Sequence, residues 1–388
     1  KVTINDGDLF TLTTREILGN NTIGSISYKN LINDVQIGTS ILVNDGLIEL
    51  KVEKVGDTDI VCRVINGGVI SDRKAINVPG VHLSLPFLSD VDRRDLEFAM
   101  KTGFDFFALS FVRCAEDVLE VRRLQKEHNN TSKLIAKIES QEGVENLDAI
   151  IDVADGIMVA RGDMGVEIPF EKVPVVQKDM ISKCLKSGKF VIVATQMLES
   201  MTHNPRPTRA EVNDVANAIF DQTSAVMLSG ESAAGDYPVE AVKTMSRICH
   251  EIEKTTTTGK FEITYNGSNL ASSIACAACS IASVINADAI IPVSLSGSTI
   301  RKVSGFRPNI NIIGCSTNER VCRETSLMWG VTPVLITEQE DGEALINEVI
   351  NKCKTAGVIK SGNRVVIVAG FPLRIAGATN MIRVVDVD

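Results

Sequence analysis

The 388-residue sequence is poor in histidine, with four in all. His82, His128, His203 and His250 lack the short spacings of metal-binding histidines and read as structural or surface residues. No apolar run approaches the ~20 residues of a membrane-spanning helix, so no membrane partner is expected. There is no basic surplus either. Lys and Arg number 40 against 49 Asp and Glu, giving a net charge of −9 and a pI near 5.2. That balance argues against nucleic acid as a partner. Small anionic substrates stay open, because a local site can be positive or hold a metal. The nine cysteines are scattered and odd in number. They suit a reducing compartment better than a disulfide framework, so a cytoplasmic location is expected. Cys276 and Cys279 form a CxxC in a small-residue helix, where packing, redox and metal roles are all conceivable. No second Cys/His pair stands nearby to complete a zinc site.

What is present falls into three regions. Residues 1–79 read as all-β, with strands at "ISYKNL", "TSILVN", "LIELKVEKV" and "DIVCRVI". Turn signals separate them at Asn44-Asp45-Gly46, Gly56-Asp57 and Asn66-Gly67-Gly68. Residues 80–257 alternate helix and strand. The strands there are "DFFALSF", "KLIAKIE", "GIMVARGD", "FVIVATQ" and "SAVMLSGE", short and apolar as in a buried parallel sheet. "SQEGVENLDAIIDVA" reads as one helix between the second and third. Residues 258–388 form a further α/β unit, and the threonine-rich "EKTTTTGK" at 253–260 marks its boundary.

Four of the middle strands end in polar pairs: Lys137/Glu139, Arg161/Asp163, Thr195/Gln196 and Ser229/Glu231. Function at the ends of successive strands is the habit of a (β/α)8 barrel, although only five strands are counted where a closed barrel needs eight. Two carboxylates, Glu139 and Asp163, suit Mg2+. The alternative is a salt-bridge network of Lys137, Glu139, Arg161 and Asp163. In "ARGDMG" (160–165) Gly162 and Gly165 permit close backbone approach, and a helical turn starting there would offer free N–H groups to an anion. Thr195 adds a hydroxyl, and Lys137 a charge for an anionic transition state. "SLSGST" (294–299) reads either as a phosphate cradle or as an ordinary capped helix.

At "LIAKIES", "MVARGDMG", "VATQMLESMTHNPRPTRAEVNDVANAIFD" and "AVMLSGESAAGDYPVEAV" the sequence closely resembles the pyruvate kinase family, over essentially the whole chain. The resemblance implies an α/β fold. Its parts are a (β/α)8-type barrel with only the later strands present, an inserted all-β lid at 1–79 and a C-terminal effector domain at 258–388. It implies a glycolytic phosphotransferase that converts phosphoenolpyruvate and ADP to pyruvate and ATP. Lys137 resembles the lysine that stabilises the transferring phosphoryl group. Glu139 and Asp163 resemble the ligands of Mg2+ or Mn2+. Ala160, Gly162 and Asp163 match the backbone segment that holds the substrate, with Thr195 beside its carboxylate. Ser229 and Glu231 match residues that help deliver the proton, and Lys74 a lid lysine near the nucleotide. A sugar-phosphate or nucleotide effector is expected at Ser294, Ser296, Ser298 and Thr299, and a homotetramer is implied.

The departures concern particular positions. Three barrel strands of the family, roughly 90 residues at ~30 per βα unit, have no counterpart in this sequence. They include the family's K+ ligands and phosphoryl contacts, so residues 1–388 alone are expected to be inactive. The family's Asp-Gly-Thr-Asp is here Asp221-Gln222-Thr223-Ser224. The lid turn has Asn44 where Asp is common, and a glycine usual near Leu373-Arg374 is missing. The rival readings are a metal-dependent phosphoenolpyruvate/pyruvate-type barrel lyase and a catalytically incomplete fragment or homologue. A lyase needs neither the β lid nor the last domain, and activity measurements separate the other.

Overall fold

Alternation along Ile48–Val55 turns Ile48, Leu50 and Val52 inward and leaves Lys51 and Glu53 in water. The same period builds a sheet from β2 (Leu9–Thr13), β3 (Ile23–Ser25), β4 (Ser40–Val43), β5 (Ile48–Val55), β6 (Asp59–Asn66) and β8 (Ile76–Asn77). Its order is β3-β2-β6-β5-β4-β8, while β1 (Val2–Ile4) pairs with β7 (Gly68–Ile70) in a separate ribbon. The expected strand "ISYKNL" does not form. The chain turns instead, because Tyr28 Oη donates to Asp34 at 2.5 Å and Leu31–Asp34 closes one helical turn. This computed structural model describes residues 1–255, 269–372 and 378–388. The expected boundary at 257/258 and the departure at Leu373-Arg374 lie outside them.

The five middle strands are β9 (Phe106–Leu109), β10 (Lys133–Ile138), β11 (Gly156–Ala160), β12 (Phe190–Ala194) and β13 (Ala225–Val226). All are parallel, and each lies beside its neighbour in the chain. Leu134, Ala136, Ile138, Ile157 and Val159 pack with Val118, Val121, Ile150, Met180 and Ile181 of the flanking helices. Ile135, Met158 and Ile192 gather on the opposite face. One face against helices and one inward is how a barrel wall is built. Gly156 is fixed by close approach, since a Cβ there would lie 2.2 Å from the Phe190 ring. "SAVMLSGE" forms a ladder only at Ala225–Val226 before Gly230–Ala233 turns helical. "SQEGVENLDAIIDVA" makes two helices, Gln141–Glu145 and Leu147–Val153, that meet at Asn146. There the Asn146 amide donates to Arg113 O at 2.9 Å, a side-chain bond that competes with helix continuation.

The third sheet holds β14 (Ala289–Pro292), β15 (Asn311–Ser316), β16 (Val331–Leu335), β17 (Arg364–Gly370) and β18 (Thr379–Asp386). Its order is β16-β15-β14-β17-β18, with only β18 antiparallel. The helix Leu270–Val284 buries both thiols of the CxxC, and burial pushes Cys279 up to about 12. Burial of both thiols suits packing. This domain grips the lower ends of the middle strands. Arg323 Nε lies 2.8 Å from Asp105 and Lys133 Nζ 3.6 Å from Glu324.

Candidate active site

Lys137 Nζ lies 2.8 Å from Glu139 Oε1 and donates to Ser110 Oγ at 2.8 Å. Glu139 is 1% exposed, and its other oxygen accepts the Phe111 N–H at 2.6 Å. Alternation places Lys137 and Glu139 on one side of the β10 end, and the buried carboxylate is compensated twice over.

On the next strand, Ala160 ends β11 and the short helix Arg161–Glu167 begins at once. The Gly162 N–H donates to Thr195 Oγ1 at 2.8 Å, and the Thr195 hydroxyl donates to Ala194 O at 2.6 Å. Arg161 turns away to Asp214 at 2.7 Å and to Thr195 O at 2.6 Å. Asp163 is half-buried and makes no hydrogen bond or ion pair among the described residues. The four-residue salt-bridge alternative therefore fails: Lys137 and Glu139 pair, Arg161 goes elsewhere, and Asp163 stands free.

Glu231 is fully buried and accepts the Leu198 N–H at 3.0 Å and the Ser229 N–H at 2.7 Å. It ties the loop after β12 to the loop after β13. Ser229 is half-buried beside it. Three residues at strand ends hold left-handed backbone: Phe111 at φ 53°, Thr195 at 68° and Gln196 at 53°. For bulky or β-branched residues that conformation is strained, and such strain collects at functional sites.

No group of three or more His, Cys, Asp or Glu side chains that could hold a metal occurs among the described residues. Two carboxylates nonetheless fit a hard divalent cation, which takes its other oxygens from water and substrate. Asp163 is the fitting donor, a half-buried carboxylate whose oxygens no other described residue engages.

Lys74 is exposed on the lid. Lower on the lid, Asn77 Nδ2 donates to Glu167 Oε1 at 3.0 Å. In the C-terminal domain, Ser294 is buried and its Oγ accepts the Thr299 N–H at 3.3 Å. Thr299 Oγ1 bonds Thr379 Oγ1 at 2.7 Å, and Ser298 accepts from Lys302. Ser296 is exposed.

The model for the pyruvate kinase barrel domain matches residues 1–242, and that for the pyruvate kinase alpha/beta domain matches 272–385. The chain belongs to the pyruvate kinase family. Pyruvate kinase of Clostridium acetobutylicum is 45% identical over 389 residues, spanning 99% of this chain and 82% of that protein. Pyruvate kinase of Clostridium perfringens is 46% identical over 393 residues, spanning 98% and 82%. The crystal structure of a pyruvate kinase from Cryptosporidium parvum superposes with a TM-score of 0.90 at 39% identity, covering 100% of this chain and 80% of that one.

Within the pyruvate kinase frame, sequence reasoning missed Ser110 and Phe111. Their signal was present, because "DFFALS" ends in a hydroxyl as the four other strands end in polar residues. Asn77 and Glu167 were missed as well, and 90 residues of separation left no local pattern to find them. Gln222 is a departure from the family pattern whose backbone suits the family's residue. Its φ is 65°, the left-handed backbone that a glycine, usual there in the family, adopts freely.

Proposed function

We propose that the site built on these residues serves transfer of the phosphoryl group of phosphoenolpyruvate to ADP, giving pyruvate and ATP. A terminal oxygen of ADP attacks phosphorus in line as the bond to the enol oxygen breaks. The enolate left behind takes a proton at its methylene carbon and becomes pyruvate. The observation that carries this reading is the contact of Lys137 with Glu139 at the end of β10, with Asp163, one strand away, unpartnered among the described residues.

Each residue then has a task. Lys137 offers its ammonium to the phosphoryl oxygens as their charge shifts. Glu139 and Asp163 would hold Mg2+ or Mn2+, which would supply Lewis-acid charge neutralisation to the reacting anion. Ala160, Gly162 and Asp163 shape the wall against which the substrate carboxylate lies, with Thr195 at its side. Ser229 and Glu231 hold the loops through which the proton arrives. Lys74 meets the nucleotide from the lid. K+ would serve as in the family, where its ligands lie on the strands that have no counterpart among these residues. A phosphorylated effector, sugar phosphate or nucleotide, sits on the 294–299 turn, where Ser296 and Ser298 are the hydroxyls nearest solvent. The protein works as a cytoplasmic homotetramer.

Phosphorus NMR of phosphoenolpyruvate with Mg2+, K+ and the gene product that contains these residues tests the reaction. The γ-phosphorus of ATP should grow only when ADP is added. Consumption of phosphoenolpyruvate without ADP would favour the lyase.

A further inference from the structure

The helix Arg161–Glu167 carries Gly162 and Asp163 near its start and Glu167 at its end. Asp163 and Glu167 are four residues apart and share one helix face. Glu167 meets the lid there, accepting from Asn77 Nδ2 at 3.0 Å, and both residues are half-buried. A second contact lies beside it. A Cβ on Gly46, in the lid turn, would sit 3.6 Å from Val166 of the same helix. Burial, and after it the charge of Asp163, raises the Glu167 carboxyl above its usual range, while the Asn77 bond pulls the other way. Asn77 ends β8, three residues beyond Lys74.

We infer that Asn77 and Glu167 are a positioning pair that latches the lid onto the helix bearing Asp163. The latch sets where the Lys74 segment stands over the site, so nucleotide and metal meet a lid already in register. Neither residue touches reacting atoms, and their effect runs through Lys74 and Asp163. The inference rests on the kinase reading of the site.

The pair permits an isosteric exchange. Asn77→Asp sets two carboxylates against each other. Asn77→Asp with Glu167→Gln restores one N–H···O bond with donor and acceptor exchanged. Glu167→Gln alone keeps an acceptor for Asn77 and should behave like the parent. Loss of a hydrogen bond to a charged group should raise the KM for ADP about tenfold, and the exchanged pair should return it to within about twofold. The KM for phosphoenolpyruvate should move much less. Hydrogen exchange of peptides spanning residues 75–78 should quicken in Asn77→Asp and recover in the double variant. That arm decides the latch even if the parent transfers no phosphoryl group, which would sink the kinase reading alone. Parental exchange and KM in Asn77→Asp, or no recovery in the double variant, would overturn the latch. Should Asn77→Asp not fold, Asn77→Ala and Glu167→Ala replace it. Effects that do not add would support the latch, and effects that add would overturn it.

Discussion

Lys137 and Asp163 differ in what they already hold. The lysine is neutralised by a buried glutamate and steadied by Ser110, whereas the aspartate has no partner among the described residues. The two proposed metal ligands should therefore respond differently to neutralisation. Asp163→Asn removes a free charged oxygen and leaves the fold untouched. It should weaken Mn2+ binding sharply, measured by paramagnetic resonance, with an unchanged melting temperature. Glu139→Gln should weaken Mn2+ and also lower stability by ~1–3 kcal/mol, because Lys137 loses its countercharge and the strained Phe111 N–H a charged acceptor. Equal Mn2+ affinity in parent and both variants would show the carboxylates to be structural. At this scale the sequence was legible where chemistry repeats at strand ends. Lys137 lies near the end of β10, and Glu139 and Thr195 directly follow β10 and β12, so the parallel strands put all three at the same end of the sheet. Which carboxylate Arg161 would choose was not legible, because Asp214 comes from a helix 53 residues further on.

Elements place these residues by ending where they do. The five middle strands were readable because each is a short apolar run between turn signals. The lid was read less well. β1, β3, β7 and β8 are two or three residues long, too short for alternation to register. β13 stops at Val226, where local preference alone would continue it. A tertiary interaction ends it, since Glu231 draws the Ser229 N–H into the buried knot shared with Leu198. Glu231→Ala should orphan both donors and cost ~2–4 kcal/mol in urea unfolding, with Glu231→Gln losing less because an amide oxygen still accepts. A loss under about 0.5 kcal/mol for the alanine variant would show the knot to be dispensable.

Across the whole molecule, the C-terminal domain meets the middle strands through Arg307. Arg307 is 5% exposed, and its guanidinium stacks 5.3 Å from Trp329 and donates to Gln222 O at 3.3 Å and Ser224 Oγ at 3.1 Å. No carboxylate answers it among the described residues, and burial pulls it down to about 9. The family usually has aspartate where Ser224 stands. Ser224→Asp should give the buried cation its countercharge and still accept the Val191 N–H that Ser224 accepts now at 3.1 Å. Stability should rise by ~1–2 kcal/mol, seen as a higher melting temperature. An unchanged or lower melting temperature would mean that neutral oxygens already satisfy Arg307. This interface was not legible beforehand, because it joins a loop and a strand start 83 residues apart.

The central claim is that Lys137 acts on the phosphoryl group in transfer. The most direct measurement is kcat for pyruvate formation from phosphoenolpyruvate and ADP, in the gene product containing these residues, for the parent and Lys137→Met. Methionine keeps the length of the side chain and removes its charge. Removing one such charge from the transition state should lower kcat by at least ~100-fold, with circular dichroism and melting temperature unchanged. A Lys137→Met enzyme that keeps near-parental kcat would contradict the assignment and return Lys137 and Glu139 to a structural ion pair.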